Sequence, residues 1–147
     1  MVSKISVVAL LAVAALAVPA PSTSSDRYVW TVSGYINVCT AATCYYVFNV
    51  TGEAGPSGAP SFDASGCSGN SLQYAFKSCA TLGIDVPGDV TTDEKSLGNR
   101  ANVFVKLAYK KDGVAYTVTG NETTPNGKDP RVFNIYPDAI SAVPDKV

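Results

Sequence analysis

The chain has 147 residues, 46% of them apolar, with 11 Lys and Arg against 12 Asp and Glu, and no His. A formal charge of −1 without a basic cluster argues against nucleic acid or an anionic membrane surface as partner. The absence of histidine excludes Ser-His-Asp and Cys-His catalysis.

The first element is an apolar run, "ISVVALLAVAALAV", preceded by Lys4 and ending near Ala15-Leu16-Ala17, a small-x-small cleavage pattern. It is too short to span a bilayer comfortably, and it predicts a secretory signal peptide over residues 1–17. A polar linker, residues 18–26, follows, and residues 27–147 form one β domain. Cleavage would leave 130 residues carrying 10 basic and 12 acidic side chains, enough length for a real core. The expected location is extracellular.

Strand patterns then run along the chain. Tyr28, Trp30 and Val32 share one face, with Trp30 as a core residue; Tyr46, Phe48 and Val50 share another. The segment "SLQYAFK" places Leu72, Tyr74 and Phe76 together. Residues 91–100, "TTDEKSLGNR", read as polar with one short turn at most. "NVFVKLAYK" aligns Val103, Val105, Leu107 and Tyr109, and "VAYTVTG" aligns Val114, Tyr116 and Val118. Between these two, Lys110-Lys111-Asp112-Gly113 predicts a tight hairpin. "RVFNIYP" supplies a last strand with Phe133 and Ile135. Gly and Pro punctuate the chain at 52–60, 86–89 and 124–130. About seven short strands without an amphipathic helix predict an all-β domain, a small antiparallel β-barrel or β-sandwich.

Four cysteines, Cys39, Cys44, Cys67 and Cys79, make an even set suited to an oxidising compartment. Zinc sites use C-x₂₋₄-C knuckles in both halves, whereas Cys67 and Cys79 lie 12 residues apart, and the redox C-x-x-C spacing is absent, so two structural disulfides are expected, with no metal and no cofactor. Four residues separate Cys39 from Cys44 at a hairpin neck, where facing Cα atoms lie within disulfide reach; this pairs Cys39 with Cys44 and Cys67 with Cys79. Three connectivities remain formally open.

No catalytic residue is assigned. Glu53, Asp63, Asp85, Asp89, Asp93 and Glu94 could in principle act as paired carboxylates, but all lie in turn-like stretches. Asn49-Val50-Thr51 and Asn121-Glu122-Thr123 are N-glycosylation sequons; Asn121 is placed in a loop, Asn49 on a strand face opposite Tyr46 and Phe48. Tyr35, Tyr45 and the glycine-rich loop 52–60 are the candidate interaction surface.

The opening "YVWTVSGYINVCTAATCYYVFNVTG" resembles small secreted fungal proteins of the Alternaria major-allergen family: a Trp-x-Val strand, two closely spaced cysteines, an aromatic-x-Phe-x-Val strand, and a later pair, here Cys67 and Cys79. The ending "FNIYPDAISAVPDKV" is similar to that of related fungal elicitors. The resemblance implies a β-barrel-like secreted effector or elicitor in the plant apoplast. Such a protein triggers the hypersensitive response and plant defence, with a plant extracellular or cell-surface protein, including thaumatin-like defence proteins, as partner. The allergen type dimerises through an additional N-terminal cysteine; none precedes Cys39 here, so a monomer or a weak non-covalent dimer is expected. Two other readings are an apolar-ligand carrier built on a closed barrel and a carbohydrate-active enzyme using paired acids.

Overall fold

The computed structural model describes residues 27–81 and 89–146. Ten strands run in chain order: β1 (Trp30–Cys39), β2 (Cys44–Gly52), β3 (Phe62–Asn70), β4 (Lys77–Ser78), β5 (Ala80–Thr81), β6 (Asp89–Ser96), β7 (Arg100–Lys111), β8 (Val114–Pro125), β9 (Gly127–Ile135) and β10 (Ala139–Pro144). They form two antiparallel five-stranded sheets, in the orders β5-β3-β2-β1-β9 and β10-β8-β7-β6-β4. The sheets do not close into a barrel; of the two predicted architectures the sandwich is the one formed.

The inward face of β7 is the most regular part of the core, with Ala101, Val103, Val105, Leu107 and Tyr109 buried in strict alternation. The predicted hairpin follows: Asp112 and Gly113 take positive φ, 50° and 74°, and Lys111 pairs directly with Val114 across a two-residue turn. Both disulfides join the expected partners, Cys39–Cys44 across the β1–β2 neck and Cys67–Cys79 between β3 and the residue separating β4 from β5. Cys79 thus pins the point where the chain passes from one sheet to the other. Asn126 alone makes the corresponding passage between β8 and β9.

Two glycines reset the facing of their strands. Gly34 has φ 63° and sits where the β1–β2 register shifts between Ser33 and Ile36. The extra residue turns the inward positions from Trp30 and Val32 to Tyr35 and Asn37. Gly66, φ 60°, does the same in β3, so that Ala64 and then Cys67 face inward.

Several sequence expectations of strand and turn are not met. The "SLQYAFK" segment is mostly turn, because side chains capture its backbone: Leu72 N–H donates to Asn70 Oδ1 at 2.9 Å and Asn70 N–H to Gln73 Oε1 at 3.2 Å. Of the segment only Lys77 remains as strand, the first of the two residues of β4, and Leu72 and Tyr74 are exposed. Residues 91–96 belong to strand β6, paired with β7 along its whole length. The 124–130 punctuation interrupts the ladder only at Asn126.

Trp30 is fully buried and meets Tyr28 and Phe62 edge to face, with ring centroids 5.9 and 5.6 Å away. These rings close over Gly52: a Cβ there would lie 2.6 Å from both Trp30 Cδ1 and Phe62 Cε1. Gly52→Ala is therefore expected to destabilise the fold by about 1–3 kcal/mol through overpacking. Urea denaturation should show a lower midpoint with an unchanged slope.

Candidate functional site

The outer face of the β1–β2–β3 sheet carries exposed apolar side chains, Val38 set outside by the Gly34 bulge and Tyr45 and Val47 by the plain alternation of β2. Val38 pairs with Tyr45, so both project from the same face, and Val47 continues the row along β2. Tyr45 is 55% exposed and Val47 42%. The turn after β3 adds Leu72 and Tyr74, the latter entirely in solvent. Tyr45, Leu72, Tyr74 and Phe76 line a shallow groove of about 500 Å³ rimmed by Lys77. Its amides have little spare capacity: Gln73 Nε2 donates to the Ala75 and Thr92 carbonyls, and Gln73 Oε1 accepts from Tyr46 and Asn70. The groove therefore offers aromatic and aliphatic surface, with the Tyr45 and Tyr74 hydroxyls and the Lys77 ammonium as its polar groups.

The adjoining β1–β2 neck is rigid. The Cys39–Cys44 bridge closes it. Within it, Thr40 N–H donates to the Thr43 carbonyl at 2.8 Å, while Thr40 Oγ1 accepts from the Ala42 and Thr43 amides.

Tyr35, offered by the sequence as surface, is buried at 1% exposure, and the bulge at Gly34 is the reason. Its ring packs on Phe48 and Phe133. Its hydroxyl donates to Glu94 Oε2 at 3.0 Å, and Asn37 Nδ2 donates to Glu94 Oε1 at 2.7 Å and to the Tyr35 hydroxyl at 3.0 Å. Glu94, read from the sequence as a solvated turn acid, is instead 1% exposed on the inward face of β6. Burial pushes its carboxyl up to about 7; the Tyr35 and Asn37 hydrogen bonds oppose that rise, and the Asp93 charge adds to it. Burial likewise pushes the Tyr35 hydroxyl up. Asp93, the next residue, points to the opposite face and accepts the Glu94 N–H at 2.8 Å. The two acids therefore do not converge on one point. Glu53, Asp63 and Asp89 are exposed, and Asp85 lies outside the described residues.

The 52–60 loop carries a short 3-10 turn, Pro56–Gly58, and its Ser57 carbonyl accepts the Tyr109 hydroxyl at 3.2 Å. With Arg27, Tyr28 and Tyr136 it walls a second groove of about 870 Å³. Asn49 is exposed on β2, its Oδ1 accepting the Gly66 N–H at 3.0 Å. Asn121 is also exposed, but within strand β8 opposite Phe104 rather than in a loop, because the ladder with β7 continues to Pro125. Among the described residues no cluster of three or more Cys, Asp or Glu side chains is arranged to hold a metal ion. No helix among them is long and apolar enough to cross a membrane. The two disulfides are consistent with an extracellular protein.

Comparison with family models, with curated proteins and with solved structures finds no match to this chain.

Proposed function

We propose that the chain is a secreted interaction protein of the elicitor or effector type, recognised at the plant cell surface through the apolar face around Tyr45. The observation that carries this reading is the continuity of exposed Val38, Tyr45, Val47, Leu72 and Tyr74 beside a disulfide-closed neck. Contiguous exposed apolar surface on a rigid scaffold is the mark of a protein–protein site, and its aromatic anchors supply most of the binding energy. The resemblance to fungal elicitors supplies the biological setting. The partner is an extracellular or cell-surface plant protein, with thaumatin-like defence proteins as a candidate class.

The test is leaf infiltration with purified protein. Changing Tyr45, Leu72 and Tyr74 together to Ala should raise the concentration needed for cell death by about tenfold or more. These side chains are exposed, so the melting temperature should barely move. An undiminished response would overturn the assignment of this face.

The buried Glu94 favours a second reading, a carbohydrate-active enzyme whose raised carboxyl serves as the acid. Abolition of activity by Glu94→Gln, with partner binding and fold intact, would favour it. The carrier reading has less support, since Trp30, Phe48, Leu107 and Ile135 fill the space between the sheets.

A further inference from the structure

Two five-stranded sheets present four edge strands, and three of them are blunted. β4 and β5 run two residues each. β9 carries Lys128, Asp129, Pro130 and Arg131 along its first half. Short length, charge and proline are the devices by which proteins keep an edge from pairing. β10 differs: "AISAVP" is six residues long, uncharged, and exposed at every position, and among the described residues it pairs only with β8.

The direction of its free hydrogen-bonding groups can be worked out. Asp145 N–H donates to the Gly113 carbonyl at 2.8 Å, at the end of the β10–β8 register. Alternation along an antiparallel ladder then turns the amides and carbonyls of Val143, Ser141 and Ala139 toward β8. Those of Ile140 and Ala142 point away from the sheet. Pro144 falls on the same outward parity, where its missing N–H leaves no ladder bond unmade.

We infer that β10 is a self-association edge, at which two copies of the chain pair antiparallel about a two-fold axis through Ser141 and join two five-stranded sheets into one of ten strands. A two-fold axis perpendicular to a sheet pairs residues of like parity. The register centred on Ser141 sets Ile140 opposite the partner's Ala142, so the outward groups of both residues on both chains meet in four backbone hydrogen bonds. Ala139 faces the partner's Val143, so the flanking pairs are apolar. At the far side of each sheet the two-residue β4 covers only Thr91 and Thr92 of β6, and the strand runs on through the charged Asp93, Glu94 and Lys95, so association stops at the dimer instead of growing into a filament. Five residues of edge bury little area, which makes the dimer weak and concentration-dependent. This contact is separate from the face around Tyr45.

The geometry has a specific chemical test. Ser141 facing its own copy is a non-hydrogen-bonded pair, with Cα atoms about 4.5 Å apart, inside disulfide range. Ser141→Cys should therefore oxidise to a covalent dimer under mild conditions. Ala139→Cys, whose copies sit four residues out of register, should stay uncrosslinked. Sedimentation of the purified unmodified chain should show a monomer–dimer equilibrium. Ile140→Lys and Ala142→Pro should each weaken it about tenfold or more. Neither change touches the ladder with β8, and an unshifted melting temperature checks that the fold is kept. A chain that stays monomeric at every concentration, a dimer indifferent to both edge variants, or crosslinking of Ala139→Cys as readily as Ser141→Cys would each overturn the inference.

Discussion

Glu94→Gln is expected to flatten the pH dependence of stability and to make the protein more stable than wild type above neutrality. In the unfolded chain Glu94 loses its proton near its ordinary 4.5, whereas in the native state its carboxyl is pushed up to about 7. Between those values the native state binds more protons than the unfolded one, so stability falls as pH rises. The contribution of this group is fully favourable only below about 4.5 and is lost by the time the pH has passed 7. Surface carboxylates held by cations behave in the opposite sense. A shift of this size corresponds to about 3 kcal/mol between acid and mildly alkaline solution. Tyr35 and Asn37 both donate to the carboxylate, and among the described residues no cation touches it; Arg131 is near enough to act on the Tyr35 hydroxyl. Denaturant titrations of both proteins from pH 4.5 to 8.5 would check this. A wild-type curve that rises across that window, or a variant parallel to it, would refute the account.

Trp30→Ala is expected to be the most damaging single change in the core, costing about 3–5 kcal/mol. The indole is fully buried between Tyr28, Phe62 and Gly52, at the end of the sandwich where β1, β2 and β9 meet. Its removal leaves a cavity that β1, held between β2 and β9, cannot collapse to fill. Trp30→Phe, which keeps a ring in the same slot, should recover much of the loss. Because Trp30 is the only tryptophan, thermal or chemical melts of both variants would be followed by circular dichroism.

These two sites differ in how far the sequence disclosed them. Trp30 was legible because β1 alternates cleanly before its bulge. The inward row of β7, the Asp112-Gly113 turn and both disulfides were legible for similar local reasons. The Glu94 cluster was hidden twice. Gly34 shifts the phase of β1, so uninterrupted alternation puts Tyr35 and Asn37 on the wrong face. The glycine itself was the available signal, since a glycine inside a strand pattern marks a bulge. In β6, Val90, Thr92 and Glu94 do keep period two, but two polar residues among three inward positions make the strand look like a turn. Tyr74 shows the converse failure: an alternating pattern was present, and the Asn70 and Gln73 side chains won its backbone for a turn.

The path of the chain between the sheets bears on its synthesis. β1 to β3 belong to one sheet, β4 to the other, β5 to the first again, β6 to β8 to the second, and β9 and β10 to one each. The strand that covers the free side of β1 is β9, ninety or more residues further along the chain at every paired position. On a ribosome, β1 can pair with β2 early, while the backbone groups of its other edge, and the ring of Tyr35 that packs on Phe133, must wait until β9 has emerged. Nascent chains are therefore exposed to mispairing until β9 has been made, and their native topology commits late. The efficiency with which an expression host shields that edge should govern yield more than the stability of the finished fold does.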